Sequence, residues 1–219
     1  FVIDKKAPEV ENDINNKKHL DAGIYYSKEN VVLTTKITER FIEDSGIEIY
    51  LQKDGKLEKR TLEQWEELFK SGDYAEKGYK IEVNKDHVDS KKNESYRTIR
   101  FTIPAGEEDK DTEGNYSYWV RATDYVGNSN MKEDKDIADN AINFCIDVTA
   151  PEVDVTYKSA QNGTIAVGNG DAIAYLNGKS DSFTGTITVT EKNMMPVDKN
   201  NSAVNCVYNE EDVKAYRYT

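Results

Sequence analysis

The chain has 219 residues, with 41 acidic against 29 basic side chains, a formal net charge of −12 and a mean hydropathy of −0.79. That balance argues against nucleic-acid phosphates and anionic lipid as partners, since both would be repelled. No apolar run approaches the roughly 20 residues needed to cross a bilayer. Two cysteines, Cys145 and Cys206, are too few for a disulfide framework. They could close one loop in an oxidising compartment, or stay as packed thiols.

The segment FVIDKKAPEV at Phe1–Val10 returns as FCIDVTAPEV at Phe144–Val153, with Phe, Ile, Asp, Ala, Pro, Glu and Val unchanged. Val2 stands where Cys145 stands in the second copy, so the position accepts a small apolar side chain. A fixed internal repeat marks successive folding units. The expected domains are therefore 1–4, the end of a preceding repeat; 5–148, one whole unit; and 149–219, a second and incomplete unit. Because the chain opens inside the motif, its natural ends are expected to lie beyond it, and the lack of a leader carries no information. Pro8 and Pro151 are structural: each removes a ladder donor and biases the residue before it to extended backbone, so a strand ends there and another begins.

In chain order, Asp13–Asp21 reads as polar loop. Val31–Glu39 (VVLTTKITE) alternates, with Val31, Leu33, Thr35 and Ile37 on one face, and Gly46–Gln52 repeats the pattern with Ile47, Ile49 and Leu51 inward. Lys53-Asp54-Gly55-Lys56 is a hairpin signal. Thr61-Leu62-Glu63-Gln64 then has the form of a capping box, and Leu62, Trp65, Leu68 and Phe69 recur at helical spacing until Ser71-Gly72. This spacing predicts a helix over 62–70 inside an inserted region, Leu57–Lys92. Alternation returns at Tyr79–Asn84 and Tyr96–Ile103, followed by an acidic turn, Glu107–Glu113. In Asn115–Asp124, Tyr116, Tyr118, Val120 and Ala122 share a face. A turn at Tyr125–Asn128, a charged loop over 132–140 and a closing strand, Ile142–Val148, complete the unit. The second copy alternates at Val153, Val155 and Tyr157, turns at Gln161-Asn162-Gly163, and repeats TTKITE as TITVTE at Thr186–Glu191, with its surplus residues in Val167–Ser182. Aromatic and β-branched residues suit pleated, half-buried surfaces. The expected class is all-β: an antiparallel sandwich with a short helical insertion near 61–70, followed by a second, partial unit.

The combination IDxxAPEV, the TxTE strand and GNYSYWVRATDYVGN resembles the tandem immunoglobulin-like repeats of Gram-positive bacterial surface proteins. The resemblance covers nearly the whole chain and implies an immunoglobulin-like fold and a non-catalytic module of a cell-surface protein, outside the cell or on its wall. Such a module would act in adhesion, binding a host protein or glycan, or as a stalk contacting neighbouring domains of its own polypeptide. Two alternatives stay open: a spacer in a large secreted glycoside hydrolase or protease, and a domain that captures a soluble host protein such as immunoglobulin. Tyr116 is similar to the tyrosine that makes the corner into strand F of immunoglobulin domains, a structural role. Tyr118 stands where antibody domains place a cysteine, so their inter-sheet disulfide is absent from the first unit.

Catalytic signals are thin. His19 and His87 sit singly in polar, loop-like surroundings, without metalloprotease, nucleophile-elbow or phosphate-loop patterns. For binding, Trp65, Phe69, Tyr74 and Tyr79 are candidates as a ligand platform in the insertion. The competing role for Trp65 and Phe69 is anchoring the helix onto the sheet. Calcium is the one cofactor the acidity admits. Asp109, Asp111, Glu113 and Gly114 match positions 1, 3, 5 and 6 of an EF-hand loop, but position 12 is Val120. A looser oxygen site could use these residues, or Asp124 and Asp147 at the junction of the units.

Overall fold

The computed structural model describes residues 4–15, 17, 20–21, 23–89, 94–106, 110–131, 140–159, 163–165, 183–191, 205–208 and 214–218. The chain divides into two units, Phe1–Val148 and Thr149–Thr219. The architecture is an all-β sandwich with two short helices.

In the first unit, one sheet is formed by β1 (Glu9–Ile14), β4 (Val31–Thr38), β8 (Glu94–Ile103) and β7 (Lys80–Asp89), in the order β1-β4-β8-β7. The other contains β2 (Leu20–Asp21), β3 (Ile24–Ser27), β10 (Ile142–Ile146), β9 (Gly114–Ala122), β5 (Ile47–Lys53) and β6 (Lys56–Thr61), in the order β2-β3-β10-β9-β5-β6. All neighbours are antiparallel except β3 and β10, which run parallel. Alternation places the core. Val31, Leu33, Thr35 and Ile37 of β4 and Ile99, Phe101 and Ile103 of β8 are buried, facing Ile47 and Ile49 of β5, Tyr116, Tyr118, Val120 and Ala122 of β9, and Phe144 and Ile146 of β10. Each buried Val, Leu, Ile or Phe among them contributes roughly 1.5–3 kcal/mol when removed from water.

Thr35 is a polar residue at the centre of this layer. Its hydroxyl donates to Asn12 Oδ1 at 2.7 Å, which leaves it accepting from the Tyr118 hydroxyl at 2.8 Å. Both Thr35 and Tyr118 are fully buried, so this bond joins the two sheets where the lack of cysteines forbids a covalent link. Asp54 and Gly55 both take positive φ, 46° and 81°, giving β5 and β6 the tight two-residue turn that Asp-Gly favours.

Between β6 and β7 the chain crosses from one sheet to the other through α1 (Leu62–Lys70) and α2 (Asp73–Glu76). The capping box at Thr61 is formed: Gln64 N donates to Thr61 Oγ1 at 3.3 Å and Thr61 N to Gln64 Oε1 at 3.0 Å. Leu62, Trp65 and Phe69 turn into the core, 0%, 1% and 7% exposed. Trp65 Nε1 donates to Ile49 O of β5 at 3.1 Å, while its ring meets Phe101 of β8 edge-on at 5.2 Å. One side chain therefore ties the helix to both sheets. Gly72 and Gly78, at φ 76° and 88°, flank α2 and turn the chain into and out of it.

Several sequence expectations are corrected. β1 continues through Asp13 to Ile14 and Leu20–Asp21 pairs with β3, so Asp13–Asp21 is not all loop. Of the described residues in Leu57–Lys92, 62–79 lie outside the sheets; β6 and β7 are integral strands, paired along their length with β5 and β8. His87 belongs to β7 rather than to a loop, beyond a register shift after Asn84. The segment 132–139, the residues 1–3, 107–109 and 161–162, and His19 lie outside the described residues, as does the surplus stretch 167–182.

The second unit holds one antiparallel sheet, β12-β11-β13-β15-β14, formed by β11 (Glu152–Ser159), β12 (Gly163–Ile165), β13 (Phe183–Glu191), β14 (Asn205–Tyr208) and β15 (Lys214–Tyr218). Its β11 pairs with β13 in the register Glu152↔Thr190 and Val153↔Val189, matching Glu9↔Thr38 and Val10↔Ile37 in the first unit. The repeated sequence thus makes the same strand pair twice.

Candidate binding cleft beneath the helical crossover

The crossover does more than close the sandwich. Where α1 ends, the chain leaves a cleft of about 460 Å³ between the helices and the β5–β6 hairpin. Leu51, Trp65, Phe69 and Tyr116 supply its apolar floor, and Tyr74 and Tyr79 one wall. The rings of Phe69, Tyr74 and Tyr79 pack together, with centroids 5.1–5.5 Å apart, which holds that wall in place. Tyr79 N also donates to Tyr74 O at 3.0 Å, closing the α2 segment on itself.

Charged side chains form the rim: Lys53, Asp54, Lys56 and Glu58 from the hairpin, and Asp73, Lys77 and Asp111 across from it. Lys77 Nζ lies 3.2 Å from Asp111 Oδ2. Lys53 Nζ donates to Asp111 O and sits 5.6 Å above the Tyr116 ring. Asp54 Oδ1 accepts from Asn115 N at 2.9 Å. A Cβ on Gly114, at φ 151°, would come within 2.5 Å of Asp54 Oδ2, so a larger residue there would push the Asp54 carboxylate from its bond to Asn115 N. The Tyr116 hydroxyl donates to Thr112 O at 2.5 Å, and burial pushes its ionisation well above the ordinary tyrosine range.

The structure thus gathers Trp65, Phe69, Tyr74 and Tyr79, together with Tyr116 and Asp111, around one cavity. It also separates their roles. Trp65 and Phe69 are buried and hold the helix down, leaving the half-buried Tyr74 and Tyr79 as the aromatic surface a ligand could reach. Apart from Asp111, which the sequence marked for cation binding, the rim charges had no sequence signal, since lysines and carboxylates recur throughout this chain without periodicity; the Asp-Gly turn and the glycines around α2 were the local marks of their placement.

Among the described residues, Asp111 and the half-buried Glu113 are not part of a carboxylate cluster. Asp111 is an exposed ion-pair partner of Lys77, Gly114 begins a strand, and Asp109 lies outside the described residues. Asp147, half-buried, donates its backbone N–H to Ser27 O. Asp124 is found instead with Asp4 and Glu39, each offering an oxygen within 4.8 Å of the others. These are the described residues that could hold a cation, and each carboxylate also accepts hydrogen bonds from its own neighbourhood. Asp124 Oδ1 accepts from Val126 N and Asn128 N at 2.9 and 2.8 Å, and its Oδ2 from Asn128 Nδ2 at 2.8 Å. Glu39 Oε1 accepts from Arg40 N and Phe41 N, and Asp4 Oδ1 from Lys6 N. Asp124 thus shapes the 124–128 loop, while Glu39 and Asp4 each bond backbone of their own segments.

Cys145 is fully buried in β10, its Sγ 3.8 Å from Ile146 O. The side chain of Cys206, its candidate partner, lies outside the described residues. Pro8 is buried just before β1 and Pro151 is exposed just before β11, the strand-initiating places their chemistry suits. No helix among the described residues is long and apolar enough to cross a membrane. No protein-family model matches the chain, and no curated protein is significantly similar to it.

Proposed function

We propose that the first unit is an immunoglobulin-like module of a bacterial surface protein, exposed outside the cell, and that it acts without catalysis in adhesion to a host protein or glycan. The strand order supports the fold reading: β1-β4-β8-β7 corresponds to strands A-B-E-D, and β10-β9-β5-β6 to G-F-C-C′. Two details support it further. The Tyr116 hydroxyl reaches back to the backbone of Thr112 at the start of the F strand, as a tyrosine corner does. Thr35 and Tyr118 meet between the B and F strands, where an antibody domain has its disulfide.

The observation that carries the binding role is the cleft itself. The C′-to-D crossover buries Trp65 and Phe69 in the core yet leaves Tyr74, Tyr79 and a ring of charges around an open cavity. Closing the sandwich would require only the former. The test is binding of the labelled chain to immobilised host extracellular-matrix proteins, immunoglobulin and glycans, alongside a Tyr74→Ala variant. Retention that falls with Tyr74→Ala is expected. Absence of retention on every surface would leave the module as a stalk or as the spacer of a secreted hydrolase, and retention of immunoglobulin alone would favour capture of a soluble host protein.

A further inference from the structure

The chemistry of the cleft narrows what it can hold. Its rim carries lysines and carboxylates in near balance, three of the former and four of the latter, so neither an anion nor a cation gains from the rim as a whole. A quaternary ammonium group is held best where several ring faces converge on it, each centroid within about 6 Å of the charge. Here Phe69, Tyr74 and Tyr79 already pack against one another at 5.1–5.5 Å, leaving no gap between them for a cation. A wholly apolar ligand would bury the rim charges without partners, which is costly.

We infer that the cleft binds a neutral saccharide, one or two rings in size, with one face stacked on Tyr74 and its edge against Tyr79, whose ring is turned 77° from that of Tyr74; this rests on the adhesion reading and assigns its ligand class. A pyranose has an apolar C–H face for an aromatic wall and hydroxyls that both donate and accept. The cleft answers both. Lys56 on the hairpin and Asp73 at the start of α2 line the rim and have no side-chain hydrogen bond or ion pair among the described residues, so one donor group and one acceptor remain for hydroxyls. Lys77 and Asp111, by contrast, satisfy each other. The volume, about 460 Å³, lies within the range of small-ligand pockets.

The experiment is saturation-transfer NMR and calorimetry on the full chain, with a panel of neutral di- and trisaccharides of glucose, galactose and N-acetylglucosamine, and with sialyllactose, a sulfated disaccharide and phosphocholine as charged competitors. Saturable binding of at least one neutral sugar is expected, with transfer strongest to ring C–H protons on one face. Asp73→Asn, an exposed change that exchanges a charged acceptor for a neutral amide, should weaken it about three- to tenfold, as for one hydrogen bond that loses its charge assistance. Tyr74→Ala should weaken it more, while Lys36→Ala on β4 should leave it unchanged. Thermal melting identifies any variant that has failed to fold, and Asp73→Asn remains a test if Tyr74→Ala does. Binding only of the charged competitors, no sugar binding at millimolar concentration, or binding unaffected by Asp73→Asn and by a folded Tyr74→Ala would each overturn the inference. If the chain still retains a host protein while every sugar fails, the adhesion reading stands and the saccharide assignment alone falls.

Discussion

Tyr118 carries a hydroxyl into the middle of the sandwich, and Thr35 is the group that satisfies it. An unsatisfied buried donor costs about 1–3 kcal/mol, whereas removing both partners can be nearly neutral. Thr35→Val should therefore destabilise the first unit by roughly that amount, and adding Tyr118→Phe should recover part of the loss, as read by urea denaturation of the four members of the cycle. Tyr116 and Tyr118 also make stability depend on alkali. Burial raises the folded-state pKa of both above the ordinary value of 10.0. The folded protein then holds these protons more tightly than the unfolded chain, so their contribution is complete below pH 10 and declines as pH rises beyond it. Denaturation midpoints should be flat from pH 8 to 9.5 and fall above pH 10. Tyr118→Phe should flatten that fall; an unchanged slope would mean that burial does not set it.

The helix α1 shows how an element is specified twice, once locally and once by packing. Its capping box and the Gly72 that follows its Ser71 end set its limits, and a nine-residue helix with those signals alone would be marginal in water. Packing does the larger share. Trp65→Ala removes the indole between the two sheets together with its bond to Ile49 O, and is expected to cost about 3–5 kcal/mol. Thr61→Ala removes only the cap and should cost about 1 kcal/mol. Comparable losses from the two would place the helix's stability in its ends rather than its face. The same element makes the cleft: α1 must lie along the sandwich side to bury Trp65, and α2 is carried with it to the rim.

At the scale of the whole molecule, the buried core among the described residues runs from Ile14 to Ile146, so the first unit has a hydrophobic interior of its own. A chain ending at Val148 is expected to unfold in one cooperative transition, with coincident circular-dichroism and fluorescence curves; a broad or probe-dependent transition would contradict that. In the second unit, the repeated motif reproduces the β1–β4 pairing as β11–β13, residue for residue at Glu152↔Thr190. Extra residues between the paired strands leave that register intact, because a slip of one residue would send every apolar side chain to the opposite face.

Much of this was legible along the chain. Alternation in VVLTTKITE and NYSYWVRATD assigned the inward faces, the Asp-Gly pair marked the hairpin, Thr61 and Gln64 marked the helix start, and the repeated decapeptide marked the second unit, because each is a local pattern with a local physical cause. The cleft was legible only in part. Trp65, Phe69, Tyr74 and Tyr79 could be named as candidates from their residue types, but their division into floor and wall depended on how α1 lies against β5 and β8. Trp119 makes the same point: alternation turns it outward, yet it is only 4% exposed, with Tyr50 of the neighbouring strand stacked on it at 5.1 Å. The rim, the meeting of Asp4, Glu39 and Asp124 and the Thr35–Tyr118 bond were decided by tertiary structure alone. Each joins residues far apart in sequence, and their pairing follows from strand register and sheet packing rather than from any spacing along the chain.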